Sequence, residues 1–173
     1  GFETETKEEV LEVKMLDSTY ALANKLKKDL VVEGVDEVVL ADTPVKLMMK
    51  LHQIYSGSVK FEGGNSKVID YTKADDDLVT ELEPFDATDK HIALQIVSGR
   101  EGISLRNADC LVYYNIDFSA TSYWQSKDRM TTKDRLKNNV YWVFSKGGIE
   151  SAIYKAVTNK KDYTLSHFKR DSR

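Results

Sequence analysis

Three features of this 173-residue chain predict an α/β fold with a mostly parallel sheet and helices on both faces. From His91 onward, apolar runs of strand length alternate with segments of helical periodicity, the pattern of strand–helix–strand units. Cys110-Leu111-Val112-Tyr113-Tyr114 is almost continuously apolar, as expected of a strand covered on both faces and joined to parallel neighbours by crossover helices. Upstream, two segments carry apolar residues at three- and four-residue spacing, each bounded by helix start or stop signals. An apolar content of 41% over this length suits one compact core.

In order along the chain, Val10, Glu12 and Lys14 alternate with Leu11, Val13 and Met15, which predicts a half-buried strand. Asp17-Ser18 is placed to cap the helix that follows, whose buried face is Tyr20, Leu22, Ala23, Leu26 and Leu30. Lys25, Lys27 and Lys28 form its solvated face. A short strand over 37–40 precedes Asp42-Thr43-Pro44, where Thr43 can cap and Pro44 fits the first helical turn. That helix runs to about Tyr55, buries Leu47, Met48, Leu51 and Ile54, and stops at Ser56-Gly57. Val59-Lys60-Phe61 and 67–71 flank Glu62-Gly63-Gly64-Asn65-Ser66 and read as a hairpin. Asp75-Asp76-Asp77 reads as a solvated loop before a short helix near 78–82. Then come a strand over 91–97, a turn over 104–108, a strand over 110–116, a helix over 120–129, a strand over 140–144, and helices near 150–157 and 163–169.

Composition removes several classes of function. The charged fraction is 31% with a net charge of -3, so there is no global basic footprint, and any nucleic-acid contact must be local. Cys110 is the only cysteine, which excludes a disulfide framework or a thiolate metal cluster and fits a reducing, cytosolic setting. No window approaches the roughly 18 consecutive apolar residues of a membrane span. Residues 1–5 lack the features of a signal peptide, and Gly1 in place of Met points to a processed tag or an excised fragment. His52, His91 and His167 are scattered, without the spacing of a metal site. No serine sits in a Gly-x-Ser-x-Gly elbow, and no Gly-x-x-x-x-Gly-Lys-Ser/Thr loop is present to hold a nucleotide.

Two motifs carry chemistry. Ser98-Gly99-Arg100-Glu101-Gly102 follows a strand, and its glycines permit close backbone approach to a phosphate or a nucleic-acid strand. Spacing alone favours an ordinary tight turn, because two glycines in a loop are common. Tyr123-Trp124-Gln125 leads into Lys127, Asp128, Arg129, Lys133 and Arg135, and an arginine here can reach a γ-phosphate across an interface. Composition alone favours a helix with a solvated charged end. Tyr123 and Trp124, leading a helix that packs on a sheet, are expected in the core rather than as base-stacking platforms.

Taken together, 92–105, Ala108-Asp109, Tyr113-Tyr114-Asn115-Ile116-Asp117-Phe118-Ser119 and 123–129 resemble motifs V and VI of superfamily-two helicases. The nearest branch is the Snf type, and within it the compact helicases of phages and prophages. Val140-Tyr141-Trp142-Val143-Phe144 and Gly148-Ile149-Glu150 are similar to the strand and helix that follow motif VI. Residues 44–71, with Leu51-His52-Gln53-Ile54-Tyr55-Ser56-Gly57, resemble the segment between the two motor lobes.

The resemblance implies a RecA-like C-terminal lobe over 91–173, an inter-lobe helix and hairpin over 44–90, and a strand and helix over 1–43 that join a first lobe absent from this chain. It implies an ATP-dependent helicase, with ATP and Mg2+ bound mainly by that other lobe, DNA as duplex or single strand as partner, no membrane, and the cytoplasm of a bacterial or phage-infected cell as location. Arg129 would be the arginine finger, with Gln125 and Asp128 positioning it. Gly99, Arg100, Glu101, Gly102 and Ser104 would couple nucleotide state to the DNA track. The chain departs from the pattern at Thr132, where the family has a second arginine, leaving Lys133 or Arg135 as the substitutes. It departs again over 72–90, too short for the family's motif IV strand and helix, which predicts a deletion or gap and a sheet short of one strand.

Overall fold

The computed structural model describes residues 5–73, 111–127 and 137–171. These form an α/β fold around a three-stranded parallel sheet, with five helices among the described residues. The sheet consists of β1 (Glu5–Val13), β7 (Lys137–Ser145) and β6 (Leu111–Tyr113) in the order β1-β7-β6. β1 runs parallel to β7 from Glu5 opposite Lys137 to Val13 opposite Ser145, and β6 runs parallel to β7 with Leu111 opposite Val140. The parallel arrangement expected from the apolar run at 110–114 is therefore present. Expectations for 74–110, including the strand over 91–97, the turns over 98–108 and the short helix near 78–82, lie outside the described residues.

β1 differs from the half-buried strand predicted. Val10 and Leu11, on opposite faces, are 37% and 41% exposed, and β1 takes the end position of the described sheet. Met15, expected in the strand, lies beyond it and is buried.

α1 (Asp17–Asp29) buries Thr19, Ala23 and Leu26, and Lys25, Lys27 and Lys28 are exposed as expected. Its start and stop depart from expectation. The N-cap position falls on Leu16 with no side-chain cap, so neither Asp17 nor Ser18 fills the role. A distant carboxylate, Asp70, serves this end: it accepts the Leu16 N–H at 2.9 Å and the Thr19 hydroxyl at 2.6 Å. At the other end, Leu30 leaves the helical face, adopts φ 62° and donates its N–H to the Leu26 carbonyl, so it stands 41% exposed.

β2 (Val31–Glu33) and β3 (Val38–Leu40) pair antiparallel, and only β3 is expected from sequence. α2 (Pro44–Tyr55) begins as predicted, with Thr43 Oγ1 accepting the Lys46 N–H at 3.2 Å and Pro44 in the first turn. It buries Met48, Leu51, Ile54 and Tyr55, with Leu47 partly buried. Gly57 ends it at φ 97°, and any side chain there would collide with the Asp70 carbonyl. β4 (Ser58–Lys60) and β5 (Ser66–Val68) form the expected hairpin.

β6, α3 (Ala120–Lys127) and β7 make a strand–helix–parallel strand unit, followed by α4 (Glu150–Thr158) and α5 (Leu165–Asp171). One buried apolar cluster joins α1 and α2 to the sheet, α3 and α4, with Trp142, Phe144, Leu26, Ile54 and Ile153 fully enclosed. Each such side chain contributes about 1.5–3 kcal/mol by leaving water. The cluster draws on all three segments read from the sequence.

Candidate functional site

α3 is the described element that leads toward Arg129, and it is held at every turn. Ser119 Oγ accepts the Ser122 N–H at 3.2 Å, and Asp162 Oδ1 accepts the Ala120 N–H at 2.9 Å. Two oxygens thus satisfy N–H groups at the helix start, where negative charge is also favoured by the helix dipole. One turn on, the Tyr123 hydroxyl reaches both carboxylate oxygens of Glu8 on β1, at 2.7 and 2.9 Å, and Trp142 Nε1 donates to the same carboxylate at 2.6 Å. Tyr113 stacks on Trp142 at 4.0 Å between centroids, and Tyr123 lies 5.6 Å from Trp142 as well. Burial, and then the Glu8 carboxylate, push the Tyr123 phenol far above its ordinary value and raise Tyr154 to about 12.

Tyr123 is in the core, as expected, at 3% exposed. Trp124 is not: it is 38% exposed, with Nε1 donating to the Val157 carbonyl at 3.1 Å. Gln125 is exposed on α3. The other predicted site residues, Asp128, Arg129, Lys133 and Arg135 in one segment and Gly99, Arg100, Glu101, Gly102 and Ser104 in another, lie outside the described residues. Thr132 does too.

A second constellation escapes sequence reasoning. Lys73, at the exit from the hairpin, is buried with its Nζ 3.0 Å from Glu150 Oε1 and 3.2 Å from the Tyr114 carbonyl. Glu150 opens α4, is fully enclosed, and also accepts the Ser145 N–H at 3.4 Å. Its Oε2 has no hydrogen-bond partner among the described residues. Burial lowers the Lys73 pKa against the opposing pull of the Glu150 carboxylate. Gly148 is a requirement of this arrangement, since a Cβ there would meet Glu150 Oε2 and crowd Tyr55. Lys73 thereby ties the hairpin exit, the loop between β6 and α3, and the start of α4 together. The signal in the sequence was a Glu placed two residues after Gly147-Gly148 at the end of an apolar strand, but its partner lies 77 positions away.

The third hub is Asp70, buried at 2%. Burial alone would raise its carboxyl, but hydrogen bonds from the Thr19 hydroxyl, the Thr72 hydroxyl and N–H, and the Leu16 N–H outweigh that and hold it below the usual carboxylate range. His52 Nε2 lies 2.5 Å from the Ile116 carbonyl, which makes Nε2 the protonated nitrogen, and its ring packs on Phe118 at 4.5 Å. That contact fixes α2 against the loop before α3. Among the described residues there is no group of three or more metal-ligating side chains, and no helix is long and apolar enough to cross a membrane. No protein-family model, curated protein or solved structure matches this chain.

Proposed function

We propose that this chain is the C-terminal motor lobe of an ATP-dependent DNA helicase or translocase of the Snf type, phage- or prophage-encoded, acting against a first lobe that holds ATP and Mg2+. The observation that carries the reading is the agreement between motif order and local architecture. β6 leads into α3, α3 bears Tyr123, Trp124 and Gln125 on the way to Arg129, and β7 returns parallel beside β6. The anchoring of α3 through Glu8, Asp162 and the Val157 carbonyl supports it further, because a finger arginine needs a rigid base.

In this reading the Arg129 guanidinium supplies positive charge where negative charge builds up on the transferred phosphoryl group. Gln125 and Asp128 orient it, and Lys133 or Arg135 takes the part of the second arginine. Gly99, Arg100, Glu101, Gly102 and Ser104 contact the DNA backbone and shift as the cleft opens and closes. The nucleotide and its Mg2+ supply the driving chemistry from the other lobe. Purified alone, the chain hydrolyses no ATP; joined to a first lobe, it gives DNA-stimulated hydrolysis. Robust hydrolysis by the isolated chain overturns the assignment.

Thr132 and the short 72–90 interval favour a second reading, a degenerate RecA-like module that binds nucleic acid or protein without catalysis. A two-lobe polypeptide that binds nucleotide but never turns it over, with or without DNA, would select it.

A further inference from the structure

We propose that Trp124 and the turn after α4, Lys160 and Lys161, form a contact site for single-stranded nucleic acid. The inference takes from the proposed function only the class of partner, and it names the surface and the strandedness.

With a net charge of -3, a nucleic-acid contact has to be local. Two groups of described lysines are candidates. On α1, Lys25, Lys27 and Lys28 are exposed, but the ring beneath Lys27, Tyr55 at 5.9 Å, is buried and offers no face to a base. At the end of α4, Lys160 Nζ stands 5.7 Å from the centre of the Trp124 ring, and that indole is 38% exposed. This second group joins an accessible aromatic surface to cations.

The platform is already ordered. The Trp124 indole is pinned by its bond to the Val157 carbonyl and by an edge contact with Tyr123 at 5.2 Å and 88°. Lys160 sits at φ 61° with its N–H on the Val157 carbonyl, and the Lys161 N–H bonds the Ala156 carbonyl. Backbone and ring therefore lose little further freedom on binding, while the ammonium groups stay movable. Gln125, the next residue on α3, and Asn159, which precedes Lys160, are also exposed. The nearby acid, Asp162, has its carboxylate engaged by the Ala120 N–H. A base stacks on the indole while lysine ammonium groups meet the adjoining phosphates. Duplex bases keep their faces within the stack, so the ligand is a single strand.

The test is a fluorescence titration of the chain with a short oligothymidylate at low salt. Trp142 is fully buried and Trp124 is the other of the two tryptophans, so quenching reports the site. The expected result is quenching, weaker binding of the matching duplex, and a loss of roughly tenfold or more in affinity for Trp124→Ala, with Trp124→Phe in between. Lys160→Gln/Lys161→Gln, a surface change that leaves the fold intact, should lower the salt slope by about 0.7 per lysine removed. Absence of binding overturns the proposal, as does binding that none of these variants weakens, or equal quenching and competition by polyglutamate. The motor reading fails separately, if Arg129→Ala leaves ATP turnover of the two-lobe polypeptide unchanged.

Discussion

Replacing Lys73 with methionine should be among the most damaging single changes in this molecule. The Lys73 and Glu150 side chains are 3% and 0% exposed and meet at 3.0 Å. Methionine keeps most of the volume but strips Glu150 of its cation, in a site where Oε2 already has no partner among the described residues. Breaking a buried pair from one side costs about 3–5 kcal/mol. Domains of this kind have only about 5–15 kcal/mol in total. At about 2–4 °C per kcal/mol for a chain of this size, Tm should fall by roughly 6–20 °C. Lys73→Met/Glu150→Met removes both charges and should return to within about 2 kcal/mol of the parent, the remaining cost coming from the lost bonds of Glu150 Oε1 to the Ser145 N–H and of Lys73 to the Tyr114 carbonyl. Urea denaturation followed by tryptophan fluorescence gives all four corners of the cycle, with the slope m checked for constancy. A Lys73→Met variant within about 1 kcal/mol of the parent would refute the reasoning, and so would a double variant that loses as much as the two singles combined.

Asp70→Asn should cost about 1–3 kcal/mol at neutral pH, because four donors lose a charged acceptor. The Asp70 carboxyl is held below its ordinary value, so its contribution is complete above about pH 4 and disappears as pH falls through the lowered folded value. A stability gap between parent and variant that stays constant into strong acid contradicts this. Glu8→Gln acts at the opposite end of the scale. Tyr154 is raised to about 12 and Tyr123 higher, by burial and then by Glu8, so their contribution is present below about pH 10 and lost as pH rises above it. The variant should lose stability less steeply above about pH 10, with phenolate absorbance appearing earlier than in the parent; identical alkaline profiles would count against the Glu8 network. Gly148→Ala should destabilise by about 1–3 kcal/mol through collision with Glu150 Oε2, and should be milder when Glu150 is already methionine. Thermal melts of the two backgrounds decide it.

Elements governed by neighbours in sequence could be read directly. Thr43-Pro44 starts α2 and Ser56-Gly57 ends it because the cap, the fixed proline φ and the positive glycine φ are local properties. The β4–β5 hairpin follows from its turn residues in the same way. What sequence reasoning missed is non-local. The start of α1 is held by Asp70, 54 positions from Leu16, while Asp17 and Ser18 provide no cap. β1 pairs with β7 across most of the chain, and with Val10 and Leu11 both open on opposite faces its alternation does not mark a buried face. β2 was hidden because Val31 and Val32 continue directly from the preceding helical stripe. In the candidate site, Tyr123 was legible as core because an aromatic leading a helix that packs on a sheet is more often buried than exposed. Trp124, one residue later, faces the end of α4 and is partly open, a consequence of helix rotation that a two-residue aromatic motif cannot encode. The Lys73–Glu150 pair has the same origin, since neither residue looks unusual until the fold brings them together.

The most direct test of the central claim is single-turnover and steady-state ATP hydrolysis by a polypeptide carrying both lobes, in parent and Arg129→Ala forms, with nucleotide affinity measured alongside. If this chain provides the arginine finger, turnover falls by about 10^3-fold or more while nucleotide and DNA still bind. Unchanged turnover in Arg129→Ala, or hydrolysis by this chain in the absence of the other lobe, contradicts the account.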